Sequence, residues 1–208
     1  MSQAEAPAGT VPTGNTFDKY GTRNPVFRRL VARFTAQAEV LLDLTQPKSV
    51  LDVGCGEGVL TERIATRLGA GRVVGIDLED TALAAEWAKR ARPNLEFLAM
   101  SAERLAFEDN EFDLATALEV LEHVDDPEAA LAEMSRVAER YLLVSVPREP
   151  LWRALNMARG AYLRDRGNTP GHLHHWSKRD FVELLSGYGQ VEQVRSLVPW
   201  TMALVRIA

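Results

Sequence analysis

The chain has 208 residues, 46% hydrophobic and 25% charged, with a formal net charge of −5. These proportions are those of an ordinary globular protein, and the mild negative charge excludes general attraction to nucleic acid or anionic membrane. The length suits one domain with a sizeable core, the single cysteine leaves no disulfide framework, and no apolar run approaches the thickness of a membrane.

Residues 1–16 are rich in Ala, Pro, Gly and Thr, so a disordered tail is expected, followed by one domain over 17–208. Asn24-Pro25 is a helix opening, and Val26, Phe27, Leu30, Val31, Phe34, Ala38, Leu41 and Leu42 recur at helical spacing up to Pro47. Residues 49–53 then read as a short apolar strand. Gly54, Gly56 and Gly58 turn the chain into a helix from about Val59, and a second strand over 72–76 ends at Asp77. A helix over 82–87, strands over 95–100 and 112–120, a helix over 127–138 and a strand over 141–146 continue the alternation. A helix over 178–185 precedes two strand-like runs, 191–198 and 201–207, whose short connection calls for a hairpin and hence an antiparallel edge. Repeated βα units with apolar strands mean a parallel sheet covered by helices on both faces.

The chemistry concentrates at the ends of the strands, where open α/β sheets bind ligands. Asp52 sits just ahead of glycines spaced G-x-G-x-G, whereas dinucleotide-binding turns run G-x-G-x-x-G. A carboxylate at that point suits a cationic ligand and would repel a pyrophosphate. Asp77 ends the next strand near the spacing at which an acid meets a ribose hydroxyl pair. Further on, Leu118-Glu119-Val120-Leu121-Glu122-His123-Val124 precedes Asp125-Asp126-Pro127.

With Asp52, the glycines, Asp77 and this last stretch together, the chain resembles the class I S-adenosylmethionine-dependent methyltransferases, in particular the small type 11 bacterial group. The resemblance implies an α/β fold: a three-layer Rossmann-like sandwich whose seven-stranded, mostly parallel sheet ends in an antiparallel C-terminal hairpin strand. It implies S-adenosylmethionine as cofactor. Asp52, Gly54, Cys55 and Gly56 would surround its amino-acid end, and Leu118 and Glu119 its methionine part. Asp77 would meet the ribose, with Leu78, Ser101, Ala102 and Glu103 at the adenine and Tyr20 in an N-terminal lid. Ser101 stands where the family commonly has Asp. Cys55 has no neighbouring base and reads as a small lining residue. His123 is placed beside the acceptor, either as a general base or as a side chain that holds its loop.

Residues 147–176 form an insert that would lie over the acceptor as a lid. Its helical pattern runs from Leu151 to Leu163, and Arg148, Arg153, Arg159, Arg164 and Arg166 make it basic. Arg148, Trp152, His172, His175 and Trp176 are candidate acceptor contacts, suited to an anionic or aromatic small molecule; a solvated arginine face is the alternative. His172, His174 and His175 have no carboxylate or cysteine at supporting spacing, so no metal is expected. The expected partner is a small-molecule acceptor rather than nucleic acid, with no stable membrane insertion, although the basic helix allows surface association, and the protein is a monomer or homodimer. One cysteine and the lack of a signal-peptide pattern predict a cytoplasmic location. A nicotinamide-dependent oxidoreductase and a non-catalytic S-adenosylmethionine-binding regulator are the competing readings.

Overall fold

The computed structural model describes residues 24–207. The expected tail at 1–16 and the lid residue Tyr20 lie outside the described residues.

Asn24 caps α1 (Pro25–Thr45): its side chain accepts the N–H groups of Val26 and Phe27, and Pro25 takes a position where no N–H is required. The remaining elements are β1 (Ser49–Val53), α2 (Val59–Leu68), β2 (Arg72–Asp77), α3 (Thr81–Ala88), β3 (Leu95–Ala99), β4 (Phe112–Leu118), α4 (Pro127–Val137), β5 (Ala138–Pro147), α5 (Leu151–Ala158), α6 (Lys178–Leu185), β6 (Gln190–Leu197) and β7 (Trp200–Arg206). They build a seven-stranded sheet in the order β3-β2-β1-β4-β5-β7-β6. Neighbours from β3 to β5 are parallel. β7 runs antiparallel to both β5 and β6. The antiparallel strand is therefore internal and β6 forms the edge, because the last strand of the hairpin inserts beside β5.

Side chains alternate across the sheet, as strand geometry requires. Val50, Val73, Leu114 and Leu143 pack with Leu41 of α1 and Ile64 of α2. Their sequence neighbours Leu51, Val74, Ala115 and Leu142 pack with Leu131 and Met134 of α4 and Phe181 of α6. Both faces are covered, which gives three layers and explains why the strands read as continuous apolar runs.

One sequence expectation is corrected. α5 stops at Ala158, not at Leu163. Gly160 (φ 74°) and Tyr162 (φ 53°) turn the chain there, so Tyr162 and Leu163 leave the helix. Ser101, Ala102 and Glu103 lie in a run of turns over 100–111.

Candidate functional site

Strand order reverses between β1 and β4, so a crevice opens beyond their carboxyl ends. Gly54 leaves β1 with φ 68°, and a Cβ on it would come 2.4 Å from Cγ2 of Val120, in the loop after β4. The glycine lets the two loops meet. Gly56 also has a positive φ (54°), but nothing lies within 4 Å of where its Cβ would be. Its openness leaves room for a ligand to approach the backbone.

Asp52 lies beneath this turn, 4% exposed. Its register partner on β4 is Thr116. The Thr116 hydroxyl donates to one carboxylate oxygen at 2.6 Å, and the Thr61 hydroxyl of α2 donates to the other at 2.7 Å. Asp52 thus ties β1, β4 and α2 together and acts on the site as a buried charge, not as an open contact. Burial pushes its carboxyl up to about 6, opposed by the two hydroxyl bonds.

Asp77 ends β2 beside the turn. One carboxylate oxygen accepts the N–H of Gly56 at 2.7 Å and the other the N–H of Leu78 at 2.8 Å. Burial raises its carboxyl above the usual range, opposed by these two amides. Leu78 follows it with 49% of its surface exposed, an apolar side chain left available at the mouth of the site. Trp87 of α3 donates its indole N–H to the Gly56 carbonyl at 2.8 Å and stacks on Phe97 of β3. The amide and the carbonyl of Gly56 are each held by a side chain that the glycine pattern alone did not reveal. Burial and the charges of Asp52 and Asp77 push the Cys55 thiol far up, so it is no nucleophile.

The loop after β3 is bound internally. The Ser101 hydroxyl accepts the N–H of Glu103, and Glu103 accepts the N–H of Asp126, the N-cap of α4. Glu103 therefore ties two loops together, and Ala102 packs against the core. Leu118 closes β4. Glu119 follows in the left-handed region (φ 65°), where a non-glycine residue is strained, and it accepts the Ser145 hydroxyl at 3.1 Å.

His123 meets the insert. Its Nδ1 lies 2.9 Å from the carbonyl oxygen of Gly171. A carbonyl can only accept, so Nδ1 carries a proton and, in the neutral ring, Nε2 is the basic nitrogen. His172 packs edge-on against His123 with ring centroids 4.9 Å apart and stacks on Trp152. The backbone joins the same regions: Leu173 and His174 donate to the Glu122 carbonyl.

Residues 51–141 match the model of the family described as "Methyltransferase domain". The chain is 34% identical over 155 residues to the ubiquinone biosynthesis O-methyltransferase of Nitrosococcus oceani, an alignment covering 66% of this chain and 64% of the relative. It thus spans under two thirds of that relative's length. These matches liken the chain, over its central 51–141, to the S-adenosylmethionine-dependent methyltransferases. Magnesium protoporphyrin IX methyltransferase of Synechocystis, solved with bound S-adenosylhomocysteine, shares the fold at 19% identity, with a TM-score of 0.66 and 90% of each chain covered. A [4+2]-cyclase is 25% identical with a TM-score of 0.64, covering 82% of this chain and 62% of that one. Among the described residues, no helix is long and apolar enough to cross a membrane.

The remaining candidate acceptor contacts divide. Trp152 and His172 join His123, and the Trp152 indole N–H donates to the Thr169 hydroxyl. His175 does not join them; its Nε2 lies 2.6 Å from Asn168 Oδ1. It lines a separate cleft of about 580 Å³ with Arg153, Arg164 and Arg166. Burial and the nearby Arg153 and His174 lower its pKa. Trp176 packs on His174 and Phe181. The Arg148 backbone bridges to Trp176. Glu122, only 1% exposed, was missed. Its signal was a carboxylate set directly between Leu121 and His123.

Proposed function

We propose that the chain transfers the methyl group of S-adenosylmethionine to a hydroxyl oxygen of a small aromatic acceptor and releases S-adenosylhomocysteine. The observation that carries this reading is the glycine turn, open at Gly56 and set over two carboxylates, beside a loop that carries His123. The residues fit a cationic cofactor. Asp52 and Asp77 put negative charge at the turn, and Leu78 offers exposed apolar surface for a purine. The second lone pairs of the Asp77 oxygens suit a ribose diol.

When bound, the cofactor supplies an electrophilic methyl carbon and a neutral thioether leaving group. The protein has to align the acceptor with that carbon and keep water out. Attack of the acceptor oxygen on that carbon would send the C–S pair to sulfur, so the protein would have to take up the hydroxyl proton. His123 Nε2 can take it, with the Glu122 carboxylate 3.8 Å away to stabilise the charged ring. Trp152 and His172 supply flat walls for an aromatic acceptor, and the name of the Nitrosococcus relative supports oxygen as the methylated atom.

Calorimetry with S-adenosylmethionine, S-adenosylhomocysteine and NADH comes first, followed by mass-spectrometric detection of methylated products from a panel of catechols and phenols. Binding of both sulfur compounds with turnover of a catechol is expected. Binding of NADH alone would overturn the reading in favour of an oxidoreductase. Cofactor binding without transfer to any acceptor would favour a binding protein or another reaction, as the [4+2]-cyclase on this fold illustrates.

A further inference from the structure

We infer that Glu122, His123 and His172 form a binding site for a divalent transition-metal ion of the zinc type, placed to hold the hydroxyl oxygen of the acceptor. Among the described residues, these three side chains each offer a ligand atom, and the three atoms lie within 4.8 Å of one another. The sequence argued against a metal because no carboxylate stood at supporting spacing from His172. Folding supplies one, since the insert returns to the loop after β4 and sets His172 against Glu122 and His123.

Several independent features are those of a metal site. Two imidazoles and one carboxylate are the donor set of catalytic zinc, which leaves a further position for water or substrate. Ligands at about 2.1 Å from a tetrahedral ion stand roughly 3.4 Å apart. The Nε2 of His123 and the nearer oxygen of Glu122 are 3.8 Å apart, so small ring rotations close the set. His123 already donates its other ring nitrogen to the Gly171 carbonyl, the outer bond that metal-bound histidines characteristically make to fix their tautomer. His172 is 8% exposed and clamped by Trp152, and Glu122 is 1% exposed, so two of the ligands are pre-positioned and shielded from water. An ion would also set positive charge against the buried Glu122 carboxylate.

The ion changes how the hydroxyl proton is handled. Coordination of the acceptor oxygen lowers its pKa, so the proton leaves to solvent water and the oxygen reaches the methyl carbon as an anion. His123 is then a ligand rather than the proton acceptor. His172 comes from the insert, so the ion also fixes the insert against β4. The role at the acceptor oxygen rests on the methyl-transfer reading; ion binding itself does not.

The test titrates the untagged full chain, stripped with chelator, with zinc chloride by calorimetry and with cobalt chloride by visible absorption. One ion per chain is expected, with the cobalt spectrum of a nitrogen- and oxygen-ligated centre and a rise in Tm. His172→Ala and His123→Ala should each weaken binding at least about tenfold. His175→Ala, whose ring bonds Asn168 instead, should bind as the parent chain does. No binding to the parent chain overturns the inference, as does an equal loss in His175→Ala. Should Glu122→Gln unfold, the two histidine variants still decide. S-adenosylmethionine affinity, measured separately, tells a failed metal site from a failed methyltransferase reading. Methyl transfer that survives stripping undiminished would remove the ion from the reaction and overturn the role at the acceptor oxygen.

Discussion

The ring of His123 and the carbonyl of Gly171 are 48 residues apart in the chain and 2.9 Å apart in space, joined by a bond that fixes which ring nitrogen carries the proton. That bond couples the loop after β4 to the insert, and it leaves Nε2 as the atom that would take a proton or a metal. In either proposed role the imidazole would act on the acceptor side only. His123→Ala should therefore lower kcat by about a hundredfold to ten-thousandfold while the Kd for S-adenosylhomocysteine stays within about twofold. Steady-state kinetics alongside calorimetry checks this. Full turnover in the variant would leave His123 with only the task of holding the loop.

The two glycines of the turn should fail in different ways. Gly54→Ala drives a methyl into Val120 at 2.4 Å, on top of a positive φ, and should destabilise the fold by about 1–3 kcal/mol. Gly56→Ala meets no protein atom, so its cost to the fold is the φ strain alone, roughly 1 kcal/mol. Its methyl points into the open space where a ligand would lie, so cofactor affinity should fall about tenfold or more. Thermal melts and calorimetry on both variants separate the effects. Equal cofactor affinity in Gly56→Ala and the parent chain would place the ligand elsewhere.

Asp52 sets a trade between stability and binding. Its carboxyl is raised from 3.8 to about 6 in the folded chain, so folding favours the protonated form. The group weighs nothing against the fold below pH 3.8; it becomes progressively destabilising as pH rises through the folded value and levels off above it. Asp52→Asn should match the parent chain near pH 4 and be more stable at neutral pH by up to about 3 kcal/mol. The ionised form is the one that attracts a cationic cofactor. S-adenosylmethionine should thus bind more tightly as pH rises through about 6, and the Asn variant should show a flatter profile. Denaturant melts and calorimetry across that range decide both halves.

Much of this was legible in the sequence, for reasons that particular residues make plain. Asn24-Pro25 is a local signal, so that helix start could be read off, and Ser49–Val53 and Lys178–Leu185 have the expected bounds. The position of β7 inside the sheet could not be read, because pairing order depends on long-range packing that strand periodicity does not carry. α5 was read too long, since apolar spacing continued through Tyr162 while the backbone had already turned at Gly160. At the site, Asp77 and His123 stood in recognisable stretches. Glu122 and His172 lie 50 residues apart, and no one-dimensional spacing rule brings such a pair together. The hydroxyls on Asp52 were hidden for the same reason, as Thr61 and Thr116 are neighbours only through α2 and the β1–β4 register.

Trp87 offers a way to perturb the glycine turn without touching the His123 loop. Its indole N–H bonds the Gly56 carbonyl at 2.8 Å, and its ring stacks on Phe97 with centroids 5.4 Å apart. Phe97 in turn fills the space that a Cβ on Gly58 or Gly75 would need. Trp87→Phe keeps the stacked ring and loses the hydrogen bond, a change of about 1 kcal/mol. The turn then loses one side-chain restraint, while Asp77 still holds the Gly56 amide. KM for S-adenosylmethionine should rise a few-fold with kcat unchanged, the opposite split to His123→Ala. Trp87→Ala removes the stack as well and should lower Tm clearly, because the Phe97 face is left uncovered. A drop in kcat at constant KM in the Phe variant would show that this indole restrains something other than the cofactor turn.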